Sequence, residues 1–231
     1  MITPKELESN IDTHIRKHSG LDVMRNYLGI SQVVKCSQMA YNNYMNGSST
    51  SDFHHRMCYV GYLFERDVLQ RMREMHIANM DRREVVSPVD DRLRGHIDGV
   101  TAWGDLLEIK SVSSSKFDLV CGQNRALHEH NDQVQLYMRY GGWKFAWVVY
   151  VCRESFEHKV IRVRYDEMRA TGLENKALKI LAAIDARQQP KCECGYCQKE
   201  GGSYEHVLFY SHVARKKISC LRWSLQHEES R

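Results

Sequence analysis

No run of about 18 apolar residues occurs in this chain, so hydropathy offers no membrane-spanning helix. The opening residues MITPKELESN form neither a secretory signal nor a transit peptide, and a soluble, cytoplasmic protein is expected. Charge imbalance is small: 33 Lys and Arg against 29 Asp and Glu leave a formal net charge of +4. That excludes a strongly basic coat and leaves at most a local basic surface, which permits nucleic acid as a partner without demanding it. No separate sequence-reading domain is apparent. The 42% hydrophobic content is ordinary for a globular protein, and 231 residues suit one domain with a sizeable core. Eight cysteines without a secretion signal argue for metal or catalytic thiols rather than disulfides.

The informative stretch runs from Arg94 to Tyr137. GHIDGV (Gly95 to Val100) and DLLEIKSV (Asp105 to Val112) read as two strands. The turn Ala102-Trp103-Gly104-Asp105 between them is long enough for a hairpin with a glycine. Successive side chains of a strand point to opposite faces. Leu107 and Ile109 thus share one face and Glu108 and Lys110 the other, so the apolar pair enters a core while carboxylate and ammonium stand in a cleft. The hairpin returns Asp98 to their neighbourhood. A lone Glu-x-Lys also describes the solvated face of a half-buried sheet. Asp98 is harder to dismiss: it is flanked by Ile97 and Val100 in a mostly apolar strand, where a carboxylate needs a cation or several donors.

Upstream, a helical lead-in over residues 1–30 carries Ile11 and Ile15 as loosely periodic apolar positions. Ser31 is the expected N-cap of a helix from Gln32 to Tyr44 that contains Cys36. Ser51 or Asp52 caps a further helix from Phe53 to His76. Its Cys58, Gly61, Tyr62, Phe64, Val68, Leu69, Met72 and Met75 form one apolar arc, with Glu65 inside it. A buried glutamate is costly unless paired or metal-bound, so Glu65 is read either as a metal ligand or as the partner of an arginine.

Downstream, Ser113 to Lys116 reads as a polar turn whose lysine either meets a phosphate or stands in solvent. Glu129 to Tyr140 is a helix closed by Gly141-Gly142. Trp143 to Cys152 is the expected central strand and His158 to Tyr165 its neighbour, after which Asp166 caps a helix through Arg187. This order suits an α/β fold with a mixed sheet flanked by helices. After Pro190 the character changes to KCECGYCQKEGG. Cys192, Cys194 and Cys197 crowd together in a way that suits metal ligation and calls for a fourth ligand.

Asp98, followed ten residues later by Glu108-x-Lys110, matches the signature of the PD-(D/E)xK nuclease superfamily, which the chain resembles from about Ser31 to Cys197. GHIDGV and LLEIKSV also resemble RecB-like nucleases and CRISPR-associated Cas-four type exonucleases. That branch continues with a helix bearing Gln-x-x-x-Tyr, matched by Gln133 and Tyr137, which share a helix face. The superfamily places an acid on a helix before the sheet, often as Gly-x-x-x-Glu, matched by Gly61 and Glu65, although many RecB-like members have histidine there.

The resemblance implies a restriction-endonuclease-like mixed-sheet core and metal-dependent hydrolysis of phosphodiester bonds in DNA. Asp98, Glu108, the Ile109 carbonyl and Glu65 would hold Mg²⁺ or Mn²⁺. Lys110 would orient the attacking water, and Gln133 and Tyr137 would position the strand or support the ligands. Cas-four type nucleases hold a 4Fe-4S cluster with one N-terminal and three C-terminal cysteines, implying Cys36, Cys192, Cys194 and Cys197 here. Cys36 precedes Ala40-Tyr41 as in that family, with Ser37 and Gln38 replacing its usual Pro-Arg pair. The C-x-C-x2-C spacing is tighter than the family habit, which leaves zinc open, with His206 or Cys220 as completing ligand.

The expected organisation is one nuclease domain over residues 1–231. It has a helical N-terminal part (1–58), a core (59–165), and a part with the last helix, the cysteines and a tail (166–231). The expected activity is that of a deoxyribonuclease, foremost an exonuclease on single-stranded or duplex DNA ends in recombination, repair or CRISPR spacer processing. An inactive nucleic-acid-binding protein with a structural metal site, and a restriction-type endonuclease, are the competing readings.

Overall fold

The computed structural model describes residues 2–19, 25–47, 51–79 and 83–194. Cys197, His206 and Cys220 lie outside the described residues. Helix α1 (Pro4–His18) starts from a capping box between Thr3 and Glu6, with proline in its first turn. It buries none of its residues. Ile11, one of its loosely periodic apolar positions, is exposed; the helix makes the exposed ion pairs Arg56–Asp12 and Arg16–Asp52, contacts of little energetic value.

Next come β1 (Leu28–Gly29), α2 (Ile30–Val33), α3 (Ser37–Asn46) and α4 (Asp52–Glu74). The helix expected from Gln32 to Tyr44 is thus two pieces. Cys36 is not within a helix: it takes an extended backbone (φ −60°, ψ 135°) and occupies the N-cap of α3. Gly29, not Ser31, precedes α2. The Ser51 hydroxyl caps α4 by accepting from the His54 N–H. The apolar arc of α4 is only partly covered. Val68 and Leu69 are buried and Phe64 and Met72 pack beside them, whereas Tyr62 and Met75 are exposed. A helix of 23 residues is about 35 Å long and overhangs the sheet it covers.

The chain continues through β2 (Ala78–Asn79), β3 (Glu84–Val86), β4 (Leu93–His96), β5 (Gly99–Thr101), β6 (Leu106–Val112), α5 (Ser114–Gln123), α6 (His128–Gly141), β7 (Phe145–Cys152), β8 (His158–Arg164) and α7 (Glu167–Asp185). Five strands pair in the order β2-β5-β6-β7-β8 and three in the order β1-β4-β3. Both sheets are mixed, with β6–β7 and β1–β4 the parallel pairs. The expected class is therefore observed: a mixed α/β core flanked by helices, a helical N-terminal part, and a cysteine cluster following α7.

Two readings of the central stretch are corrected. GHIDGV is not one strand. β4 ends at His96 in the three-stranded sheet, and β5 begins at Gly99 in the five-stranded one. The chain changes sheets across Ile97 and Asp98. Nor is Ser113 to Lys116 a turn: Ser113 is the N-cap of α5, whose Phe117 and Val120 are buried. Serines are caps as readily as turn residues, and here the strand runs directly into a helix. α5 and α6 together form the crossover that parallel β6 and β7 require. The hairpin turn between β5 and β6 forms as expected, with Gly104 at φ +91°, a conformation open to glycine.

Both faces of the central strands β6 and β7 are covered. On one, Leu107, Ile109, Val149 and Val151 meet Val68 and Leu69 of α4. On the other, Leu106, Val148 and Tyr150 join Leu136 and Met138 of α6 and Ile180 and Leu181 of α7. Glu108 belongs to the second face and is only 1% exposed, so its strand presents no solvated side.

Candidate active site

The pairing of β5 with β6 runs Val100 to Leu106 and Gly99 to Leu107. One step further would set Asp98 opposite Glu108, but there the ladder stops. The Asp98 carboxylate replaces the missing strand: its Oδ2 accepts the Ile109 N–H at 2.6 Å. A backbone donor at the point where the strands part is thereby satisfied, and Asp98 is fixed beside Glu108.

From α6, Gln133 and Tyr137 reach the same place, one turn apart on one face. Gln133 Nε2 donates to Glu108 Oε1 at 2.9 Å, and Gln133 Oε1 accepts from Lys110 Nζ at 3.1 Å. Lys110 Nζ lies 2.6 Å from Glu108 Oε1. An ammonium only donates and an ionised carboxylate only accepts, so the amide has a single workable orientation. The Tyr137 hydroxyl accepts from Gln133 Nε2 at 3.2 Å and donates to the His96 carbonyl at 2.9 Å. Tyr137 thereby anchors the glutamine to β4.

That anchor explains Gly95. A Cβ there would sit 2.8 Å from Tyr137 Cε1 and 3.0 Å from its hydroxyl. Gly95→Ala must push the ring away and loosen Gln133, so it should destabilise the protein by about 1–3 kcal/mol. At Gly61 a Cβ would meet only Ser111 Oγ at 3.7 Å, an ordinary contact. Gly61→Ala should instead stabilise by about 0.5–1 kcal/mol, the helix-interior cost of glycine. Urea melts of the two variants check both signs.

Electrostatically the site is crowded with acid. Burial pushes the Asp98 carboxyl well above its ordinary range, and the charges of Glu108 and Glu65 push it further; Lys110 and the Ile109 N–H offset this only in part. Burial likewise raises Glu108, against the pull of Lys110. Burial pulls the Lys110 ammonium down, but attraction to Glu108, Asp98 and Glu65 outweighs it and holds the group above its usual value. Glu65, half-buried on α4, thus acts on all three groups. One acceptor is left over: Glu108 Oε2 is buried without a hydrogen-bond partner. Mutually repelling carboxylates and an orphaned buried oxygen suit a hard divalent cation, which takes oxygen ligands, although the carboxylate oxygens of Asp98, Glu108 and Glu65 do not all lie within 4.8 Å of one another.

The second constellation lies at the N-terminus of α3. One ligand atom each of Cys36, Cys192 and Cys194 falls within 4.8 Å of the others. Sulfur separations are 3.9 Å from Cys36 to Cys192 and 3.4 Å from Cys192 to Cys194. Burial would raise the Cys36 thiol. The N–H groups of Glu193, Met39 and Gln38, with the Cys194 thiol, outweigh it and hold Cys36 below the ordinary thiol range. Such a sulfur is poised as a thiolate ligand, and three soft donors fit either iron–sulfur or zinc. Cys58, Cys121 and Cys152 do not join this group.

Sequence reasoning passed over His130 and Tyr150. The Leu127 N–H donates to the Tyr150 hydroxyl at 2.9 Å, and His130 Nδ1 lies 3.0 Å from the same oxygen. Tyr150 pairs with Lys110 across β6 and β7. Burial, then Lys110 and Lys116, push the His130 imidazole down to about 2, so it stays neutral. Its place three residues before Gln133, on the same helix face, is the signal that would have found it. Lys116 stands on α5 and pairs with Glu129 at 3.2 Å.

No family model matches the sequence, and no curated protein matches it. The fold does have solved counterparts. An alkaline exonuclease from Laribacter hongkongensis aligns with a TM-score of 0.53 and 14% identity over 72% of this chain and 92% of that one. The structure of this exonuclease in complex with dAMP aligns with a TM-score of 0.53 and 15% identity, over 70% and 89%. A protein designated SSO0001 aligns with a TM-score of 0.56 and 14% identity, over 78% and 87%. At such identities the likeness is one of fold: this chain has the fold of these proteins.

Proposed function

We propose that the chain is a metal-dependent deoxyribonuclease of the PD-(D/E)xK type that acts on DNA ends. The observation that carries the reading is the orphaned Glu108 Oε2, buried beside Asp98 and held in place by Gln133 and Lys110. Asp98, Glu108, Glu65 and the Ile109 carbonyl would hold Mg²⁺ or Mn²⁺. When bound, such a cation polarises the scissile phosphate and lowers the pKa of a coordinated water. Lys110, aimed by Glu108 and Gln133, directs its ammonium at the attacking water and offsets charge as it develops on the phosphate. Tyr137 and Gln133 keep the Glu108 carboxylate in one rotamer, so that little reorganisation is needed during the reaction.

An exonuclease mode is favoured by the shared fold with an alkaline exonuclease, one form of which was solved with dAMP. Cys36, Cys192, Cys194 and Cys197 are assigned a 4Fe-4S cluster of structural role. The purified full chain, given end-labelled single-stranded and duplex DNA with Mn²⁺ or Mg²⁺, should release mononucleotides or short fragments from ends. It should leave closed circular DNA intact. Nicking of the circle would assign an endonuclease. Tight binding without hydrolysis under either ion would assign the inactive reading.

A further inference from the structure

The sheet face covered by α4 is covered only in part, and the open part carries an ordered aromatic surface. Trp103, at the β5–β6 turn, is 58% exposed yet is not loose. Its indole N–H donates to Asp105 Oδ2 at 3.1 Å, and the Trp147 indole donates to the same oxygen at 2.9 Å. One carboxylate oxygen thus holds both indoles, edge to face with centroids 5.9 Å apart. Both polar edges are tied inward, which leaves apolar ring surface outward. The Arg162 guanidinium lies 3.7 Å from the centroid of the Phe145 ring and 5.4 Å from that of Trp147. At the other end of this face Phe156, 51% exposed, stacks on Phe64 of α4 at 4.9 Å.

Between these ends runs edge strand β8, whose His158, Val160, Arg162 and Arg164 share this face by alternation. All four are exposed. Neither Arg162 nor Arg164 makes an ion pair among the described residues. The two arginines stand about 7 Å apart along the strand, comparable to successive phosphates of an extended single strand. Trp147 pairs with Leu107 in register, so the surface lies on the opposite side of the sheet from Glu108.

We propose that this face binds single-stranded DNA: bases stack on Trp103 and on the arginine-backed rings, and phosphates meet Arg162 and Arg164. Fixed aromatic planes with unneutralised arginines suit a flexible polyanion whose bases are exposed, whereas duplex bases are already stacked and out of reach. The choice of DNA over RNA rests on the nuclease reading; the surface itself does not. A strand held behind the sheet would keep the substrate attached while its end enters the site on the other side.

The test uses the full chain without added divalent cation and a fluorescein-labelled oligothymidylate, followed by anisotropy. Trp103→Ala and Arg162→Glu should each weaken binding about tenfold. Trp103→Phe should bind nearly as wild type, because the aromatic plane remains. Arg162→Glu should also flatten the salt dependence. Hydrolysis of bis(p-nitrophenyl) phosphate with Mn²⁺ should be unchanged in all three variants, as none touches the acidic site. Equal affinity of Trp103→Ala and wild type would overturn the proposal. So would a concentration-dependent dimer that Trp103→Ala dissolves, which would give the face to a second copy of the chain. Loss of oligothymidylate binding in Trp103→Ala, in a protein that hydrolyses no phosphodiester, would leave this surface standing and remove the nuclease reading.

Discussion

Asp98→Asn is expected to reduce metal-dependent cleavage by about a thousandfold or more and to raise the Tm of the metal-free protein. The two effects share one cause. Asp98 is held among Glu108 and Glu65 with its carboxyl pushed far up by burial and by both charges. Asparagine keeps an oxygen to accept the Ile109 N–H and discards the charge. The pH dependence follows from the direction of the shift. A carboxyl raised in the folded state favours folding most when protonated, below its ordinary value. That contribution is lost as pH rises through the raised value. The stability advantage of Asp98→Asn should therefore vanish in acid and grow toward neutrality. Glu108→Gln should behave differently, although it too should abolish cleavage. It leaves the Lys110 ammonium without its carboxylate, 2.6 Å away in wild type, at a cost of about 2 kcal/mol. Melting curves across pH, with cleavage assays beside them, decide the matter. Retained activity in Asp98→Asn, or a Tm that falls at neutral pH, would sink the account.

Protein purified without oxygen should be brown, with iron and sulfide near about four each per chain. Cys36→Ala should bleach it and lower the Tm by about 10 °C. The sulfurs of Cys36 and Cys192 lie 3.9 Å apart across 156 residues of chain, so a metal centre shared between them would remove much freedom from the unfolded state. Lowering of the Cys36 thiol by three backbone N–H groups adds a specific expectation: Cys36→Ser should bleach the protein as fully as alanine does, because the donors remain and the soft ligand is gone. Cys58→Ala and Cys121→Ala should keep the colour. A colourless anaerobic preparation with one zinc per chain would refute the iron–sulfur assignment and leave the thiolate cluster itself intact.

Much of the core was legible because its signals are periodic. Alternation along LLEIKSV put Glu108 and Lys110 on one side of β6, and spacing put Gln133 and Tyr137 on one side of α6. Neither inference needs knowledge of what lies opposite. The losses came where composition is ambiguous. Three serines after β6 resemble a turn and are a helix start. GHIDGV has strand-like residues throughout, and nothing in it marks the change of sheet at Asp98. The burial of Glu108 was illegible too, because covering both faces of β6 depends on α6 and α4 from distant segments. Asp105, which accepts from Trp103 nearby and from Trp147 across 42 positions of chain, has no local signature at all.

The sequence separations within the two centres differ greatly, and this sets an order of events during synthesis. Asp98 reaches Ile109 across 11 positions, and Gln133 reaches Glu108 across 25. Short loops close early and at small entropic cost. The acidic centre can therefore form while the ribosome is still extending the chain, whereas Cys36 waits until Cys192 has emerged. A chain stalled before Cys192 would hold the acidic residues together and leave the thiol cluster unclosed, so incorporation of the proposed sulfur-bound metal would mark a translation product that has passed residue 192.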